Sequence, residues 1–177
     1  MRMSTVGDLG FSSPVNALVL GARGGIGEAF VRALLTLPDV SAVVATGRSG
    51  AWVDEEVPDP RESRFHLDLE DDQSIDAFAE GLAALGEPLH LVINCTGLLH
   101  DTNLRPERSW RHIERKSMQR CFDVHATGLA LLLAAVMPSF PAISGPCSPR
   151  FQRVSAALET TDWAAGLAIV RLKPRKI

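Results

Sequence analysis

Residues 18–27 read LVLGARGGIG: an apolar run, then Gly21, three further residues, and Gly25, Ile26 and Gly27 at the head of a helical pattern. This spacing commits the chain to a strand that turns sharply into a helix. Glycine tolerates the tight turn and lets N–H groups at the helix start come close to a ligand. Those N–H groups and the helix dipole favour a pyrophosphate, so the turn reads as dinucleotide-binding and nominates a nicotinamide cofactor. The same glycines also suit plain strand-to-helix packing, an alternative the turn alone leaves open.

Apolar periodicity extends the pattern. After a leader through Pro14, residues 17–20 read as a strand, and Ile26, Phe30, Ala33, Leu34 and Leu37 recur at helical spacing until Pro38 and Asp39. Residues 40–46, 65–67 and 89–94 are three further strand-like runs. Ser74 is expected to cap a helix that buries Ile75, Phe78, Ala79, Leu82 and Leu85, with Asp76 near its positive end. A long helix from about Ser109 or Glu114 to Val136 is expected to carry Met118, Phe122, His125, Leu129 and Leu132 along one stripe and to stop at Pro138.

Strands alternating with helices predict an α/β chain: a Rossmann-type, doubly wound parallel sheet, truncated after about four strands. The expected organisation is a leader over 1–14, an incomplete nucleotide-binding domain over 15–137 and an irregular tail over 138–177. Prolines, glycine and serines crowd the start of that tail, SFPAISGPCSPRFQ. Residues 167–172 read either as an edge strand or as part of a loosely ordered tail.

With 177 residues and 46% hydrophobic content, the chain can bury one core. A net charge of -3 with interspersed signs gives no broad reason to bind nucleic acid or an anionic membrane. The basic cluster Arg105, Arg108, Arg111, Arg115, Lys116 and Arg120 reads as a solvated face around a helix start. Cys95, Cys121 and Cys147 form no C-x-x-C pair, so a reducing compartment, the cytoplasm, is expected. No signal core opens the chain, and its most apolar run, 129–137, is expected to be too short for a bilayer. His90, Cys95, His100, His112 and Cys121 lack paired metal-ligand spacing, so no metal is expected.

Three later stations add to the glycine turn. Where a carboxylate would meet a ribose 2′-hydroxyl, the second strand ends in Thr46, Gly47 and Arg48. A guanidinium there suits a 2′-phosphate, with Arg23 as a second cation, and favours NADP(H) over NAD(H); the alternative is an ordinary surface arginine. Asp68 and Leu69 follow the third strand, placed to meet an adenine ring or simply to open the acidic run Glu70, Asp71, Asp72. The fourth strand ends in Asn94, Cys95, Thr96 and Gly97, a small-residue turn that lets a ribose approach, or a plain strand end.

In this order and spacing, the stations resemble the short-chain dehydrogenase/reductase family. Its G-x-x-x-G-x-G turn falls on Gly21, Gly25 and Gly27, its acidic adenine contact on Asp68, and its N-N-A-G strand end on the variant Asn94, Cys95, Thr96, Gly97. FDVHATG at 122–128 is similar to the family's V-N-A-x-G helix segment, and Leu99 and His100 resemble the C-factor-like branch. The likeness spans roughly residues 16–137. It implies oxidoreduction of an alcohol/carbonyl pair with a nicotinamide dinucleotide, and a homo-oligomer paired through the helix near 114–136.

Two departures qualify that implication. His125 stands where the family has an asparagine that helps order its proton relay, or reads simply as a histidine satisfied on the helix. The Ser, Tyr-x-x-x-Lys set has no counterpart, because the chain contains no tyrosine and its only lysines are Lys116, Lys173 and Lys176. No catalytic residue is therefore assigned. Losing the proton donor forfeits about 10²- to 10⁴-fold in rate, and the strands and loops that complete a substrate pocket are expected to be missing. The expectation is an impaired oxidoreductase; the alternatives are a catalytically silent NADP(H)-binding module and a non-functional fragment with an unpaired, aggregation-prone sheet edge.

The tail suggests an origin for the loss. Read one base out of register, each new codon takes the last base of one residue's codon and the first two of the next. Residues 150–166 can then encode LSARVGSIGDNRLGGW and, after one unmatched position, residues 167–175 can encode SYRASKAA. Those strings resemble the family's serine segment and Tyr-x-x-x-Lys helix. A slip of one register between about Pro138 and Arg150 is expected to have put the catalytic half out of frame.

Overall fold

The computed structural model describes residues 14–53, 55, 59–100 and 104–140, together with the backbone of 150–152 and 168–171. The leader, most of the tail, Cys147, Lys173 and Lys176 lie outside the described residues. In chain order the elements are β1 (Val15–Leu20), α1 (Gly25–Leu35), β2 (Val40–Gly47), α2 (Gly50–Val53), β3 (Glu62–His66), α3 (Asp72–Ala84) and β4 (Leu91–Asn94). Then come α4 (Arg115–Phe122), a π-helical turn (Asp123–Thr127), α5 (Gly128–Val136), β5 (Arg150–Gln152) and β6 (Ala168–Arg171).

All six residues of β1 are buried, as a central parallel strand covered on both faces requires. Leu18 and Leu20 face one way, onto Phe78 and Leu82 of α3 and Leu132 and Val136 of α5. Val15, Ala17 and Val19 face the other, onto Val31 and Leu34 of α1. The strand order is β3-β2-β1-β4-β6-β5, with the first four parallel. β1 and β4 are neighbours whose connections leave in opposite directions, the switch point where such sheets open a crevice.

At the opposite end of the sheet, buried Asn16 fastens the strands. Its Oδ1 accepts from Ser41 Oγ at 2.6 Å, its Nδ2 donates to the Pro88 carbonyl at 3.0 Å, and its backbone N–H donates to His90 Nδ1 at 3.1 Å. A buried carboxamide is stable only when its polar atoms are paired in this way.

Several sequence expectations change. Asp71, rather than Ser74, caps α3, accepting from the Gln73 amide at 3.0 Å. Ser74 is engaged elsewhere, its Oγ accepting from the Asp68 amide at 2.9 Å. Leu85 caps the far end of α3 and is exposed, as is Ile26 on the first turn of α1. In the long helix Met118 and Phe122 are exposed, while Val124, Gly128, Leu132 and Val136 are buried. The π-turn inserts an extra residue into the winding and so rotates the second half against the first.

The expected sheet of four parallel strands is present, and two short antiparallel strands extend it, one of them within the 167–172 run that read as an edge strand. β6 runs antiparallel on β4, with Ile93 opposite Ile169, and β5 runs antiparallel on β6. The outer edge of β4 is therefore paired, and β5 is the terminal strand on that side. Because helix continues through the π-turn, the apolar run is also longer than 129–137 suggested. Arg115–Ser139 is long and apolar enough to cross a membrane by length and composition, with a mean hydropathy of 1.6 over its most apolar window.

Candidate functional site

The carboxyl ends of the parallel strands enclose a cleft of about 700 Å³, lined by residues from five stations: the β1–α1 turn, the end of β2, the β3–α3 turn, the end of β4 and the π-turn. Backbone bonds set its shape. The Ala22 amide donates to the Thr46 carbonyl at 2.8 Å, Leu67 to Gly47 at 3.0 Å, and Cys95 to Leu20 at 2.9 Å.

Gly21 turns β1 into α1 with φ +71°, where a side chain would be strained, and a Cβ there would lie 2.9 Å from the Cys95 carbonyl oxygen. Gly27 is buried directly against the Gly21 carbonyl, with no room for a Cβ. Gly24 caps α1 without any side-chain hydrogen bond. The first-turn amides thus lack the side-chain acceptor that usually satisfies a helix start, which suits an anionic ligand.

Of the expected contacts, Gly21, Arg23, Arg48, Asp68, Leu69, Cys95, Thr96 and Gly97 line the cleft; Gly25, Ile26, Gly27 and Asn94 do not. Asn94 is buried, and its Oδ1 accepts from the Thr96 amide at 3.0 Å and from Thr96 Oγ1 at 2.6 Å. Its carboxamide shapes the β4 turn from beneath. Asp68 Oδ1 accepts from the Glu70 amide at 3.0 Å. Arg48 is half exposed at the rim, its Nη1 3.9 Å from Glu70 Oε2. Burial pushes the Cys95 thiol up to about 11.

Gly24, Ser49, Leu67, Leu98 and Val124 also line the cleft, although none was singled out in the sequence. The first four adjoin residues that were. Val124 arrives from the π-turn, whose position follows from two contacts. His125 Nε2 lies 3.1 Å from the Leu98 amide nitrogen and 3.2 Å from its carbonyl oxygen. Gly128 packs directly on the Leu69 carbonyl, again with no room for a Cβ. Among the described residues, no group of three or more His, Cys, Asp or Glu could hold a metal ion.

The model of the family described as short chain dehydrogenase matches residues 15–145. No curated protein matches the chain. Among solved structures, NADPH-bound carbonyl reductase from chicken fatty liver is 26% identical with a TM-score of 0.61, the match covering 75% of this chain and 51% of that one. Sniffer of Caenorhabditis elegans, assigned as a carbonyl reductase, is 27% identical with a TM-score of 0.57, covering 71% and 53%. A 3-ketoacyl-(acyl-carrier-protein) reductase from Brucella melitensis, complexed with NADH, shares the fold at 21% identity and a TM-score of 0.59, covering 72% and 51%. The chain spans about half the length of these structures.

Proposed function

The chain belongs to the short-chain dehydrogenase family, and from that membership we propose that its cleft binds NADP(H) in preference to NAD(H). The observation that carries the preference is Arg48, a cation at the rim where β2 ends. A planar guanidinium suits a 2′-phosphate by charge and by its fork of donors. The cleft fits the rest of a dinucleotide: an α1 start without a side-chain cap for the pyrophosphate, and Asp68 and Leu69 for an adenine. Thr96 and Gly97 form a small-residue wall for a ribose.

When bound, the cofactor would supply a hydride donor or acceptor for an alcohol/carbonyl pair. The chain would supply orientation through the β1–α1 and β4 turns, with no catalytic residue assigned. Moving hydride to a carbonyl also requires a proton, and the family's tyrosine donor has no equivalent in a chain with no tyrosine. We read the protein as an oxidoreductase by ancestry whose present competence is cofactor binding. Titration with NADPH and NADH, followed by cofactor fluorescence, tests this. Arg48→Ala should weaken NADPH far more than NADH, and equal losses would refute the 2′-phosphate role.

We infer further that the residues beyond a point between about Pro138 and Arg150 are read out of frame. Support comes from the shifted strings ending in SYRASKAA, and from a family match that runs to residue 145, inside that window. Sequencing the gene across codons 135 to 177 tests it, and codons unable to yield those strings would end it. Leu99 and His100 favour the C-factor-like branch, and scattered cysteines favour the cytoplasm. The exposed apolar flank of α4 and α5, with Phe122 and Leu131, favours pairing with a second copy or an intact relative. Burial of Leu132 and Val136 with Leu18, Leu20 and Phe78 favours a helix packed on the sheet over a membrane span. The net charge favours no nucleic-acid partner.

A further inference from the structure

Three charged residues from three elements meet beside the cleft. Glu70, in the turn after β3, is gripped side-on by Arg120 of α4, with Nε 2.7 Å from Oε1 and Nη2 2.9 Å from Oε2. Arg48, beyond the end of β2, brings Nη1 to 3.9 Å from that same Oε2. The Arg120 contacts are a two-pronged, charge-assisted pair. The Arg48 contact is longer than a hydrogen bond, so Arg48 senses the carboxylate's charge while its donors remain available to a ligand. Glu70 and Arg120 are both mostly covered, whereas Arg48 is half exposed.

The geometry points to Arg120 as a specificity-determining residue that acts through Glu70: by neutralising the Glu70 carboxylate it leaves Arg48 as an uncompensated cation for a 2′-phosphate. This rests on the proposed 2′-phosphate role of Arg48. The charges are simple to follow. Among these three charges the balance is one positive, and Arg48 carries it on the cleft side. Without Arg120, the Glu70 carboxylate offsets Arg48 more fully, and the cleft rim loses part of its attraction for a dianionic phosphate. Without the Glu70 carboxylate, both guanidiniums stay positive and the attraction grows. NADH, which has only a hydroxyl at that position, is the internal reference.

The test is a set of NADPH and NADH titrations on the full chain and on Arg48→Ala, Glu70→Gln, Arg120→Gln and the Glu70→Gln/Arg120→Gln pair, at low ionic strength where exposed charges are least screened. The ratio of NADPH to NADH affinity should rise roughly two- to fivefold in Glu70→Gln and fall roughly two- to fivefold in Arg120→Gln, the scale of a partly exposed ion pair. In the double variant it should return to the unsubstituted ratio or exceed it, since the carboxylate that Arg120 restrains is gone. A ratio unmoved by Arg120→Gln, or one that stays low in the double variant, overturns the assignment. NADH binding in the same preparation reports that each variant is folded. If Arg48→Ala leaves the ratio unchanged, the 2′-phosphate reading fails and this inference falls with it. If Arg48→Ala lowers the ratio while the other variants do not move it, the relay alone fails.

Discussion

The backbone amide of Asn16 donates to Nδ1 of His90 at 3.1 Å, while the His90 amide returns a bond to the Asn16 carbonyl at 2.9 Å. The ring nitrogen must be unprotonated to accept that bond. Burial lowers the His90 pKa below the ordinary 6.5, with the Glu87 charge opposing the shift more weakly. A histidine depressed in the fold contributes stability that is complete above its unfolded value and is lost as pH falls through the folded one. The melting temperature should therefore decline from neutral pH toward about pH 5. His90→Gln should flatten that decline, and identical slopes in the two proteins would show that His90 is not responsible.

Gly128→Ala should destabilise the chain by about 1–3 kcal/mol, as overpacking does, because its Cβ would overlap the Leu69 carbonyl and lie 2.9 Å from that of Asp123. Urea denaturation gives the loss directly. Leu69 also lines the cleft, so dinucleotide affinity should fall in the same variant. Gly25→Ala is the comparison: nothing lies within 4 Å of its added Cβ, and it should cost far less stability.

Cys95 should resist alkylation. A thiol pushed up to about 11 by burial is almost wholly protonated at neutral pH, and the thiolate is the reactive form. Peptide mass spectrometry after iodoacetamide treatment should show Cys95 modified slowly, and faster as pH rises. Because Cys95 lines the cleft, saturating NADPH should slow it further. Equal rates with and without NADPH would place the nucleotide elsewhere.

Purified protein that binds NADPH should not reduce a panel of ketones and aldehydes at rates typical of carbonyl reductases, since no tyrosine is present to deliver the proton. Turnover at such rates, followed as loss of cofactor absorbance, would overturn the silent-module reading.

The four parallel strands and most of the cleft were legible because they depend on local signals: apolar runs ending in small residues at Gly21, Gly47 and Gly97. Other features depend on contacts distant in sequence. Ser74 looked like a cap, yet the Asp68 amide claims its hydroxyl, and Asp71 takes the role. Met118 and Phe122 fitted a regular helical stripe, but the π-turn breaks the phase before Leu132. Val124 reaches the cleft only because that turn is held by Leu98 and Leu69. The direction of β6 was equally invisible, because the apolar pattern of a strand is the same in either orientation.

That direction decides which end of β6 lies beside the rim of the cleft. Ala168 pairs with Asn94, so β6 meets the β4 rim with its incoming end, and its outgoing end lies beside Leu91 at the base of the sheet. Doubly wound sheets furnish their crevices with segments leaving the strands. Here the neighbour of β4 runs the other way, and Arg171 at its outgoing end pairs with Leu91 at the floor. Only a strand running parallel to β4 would bring its outgoing end to that rim.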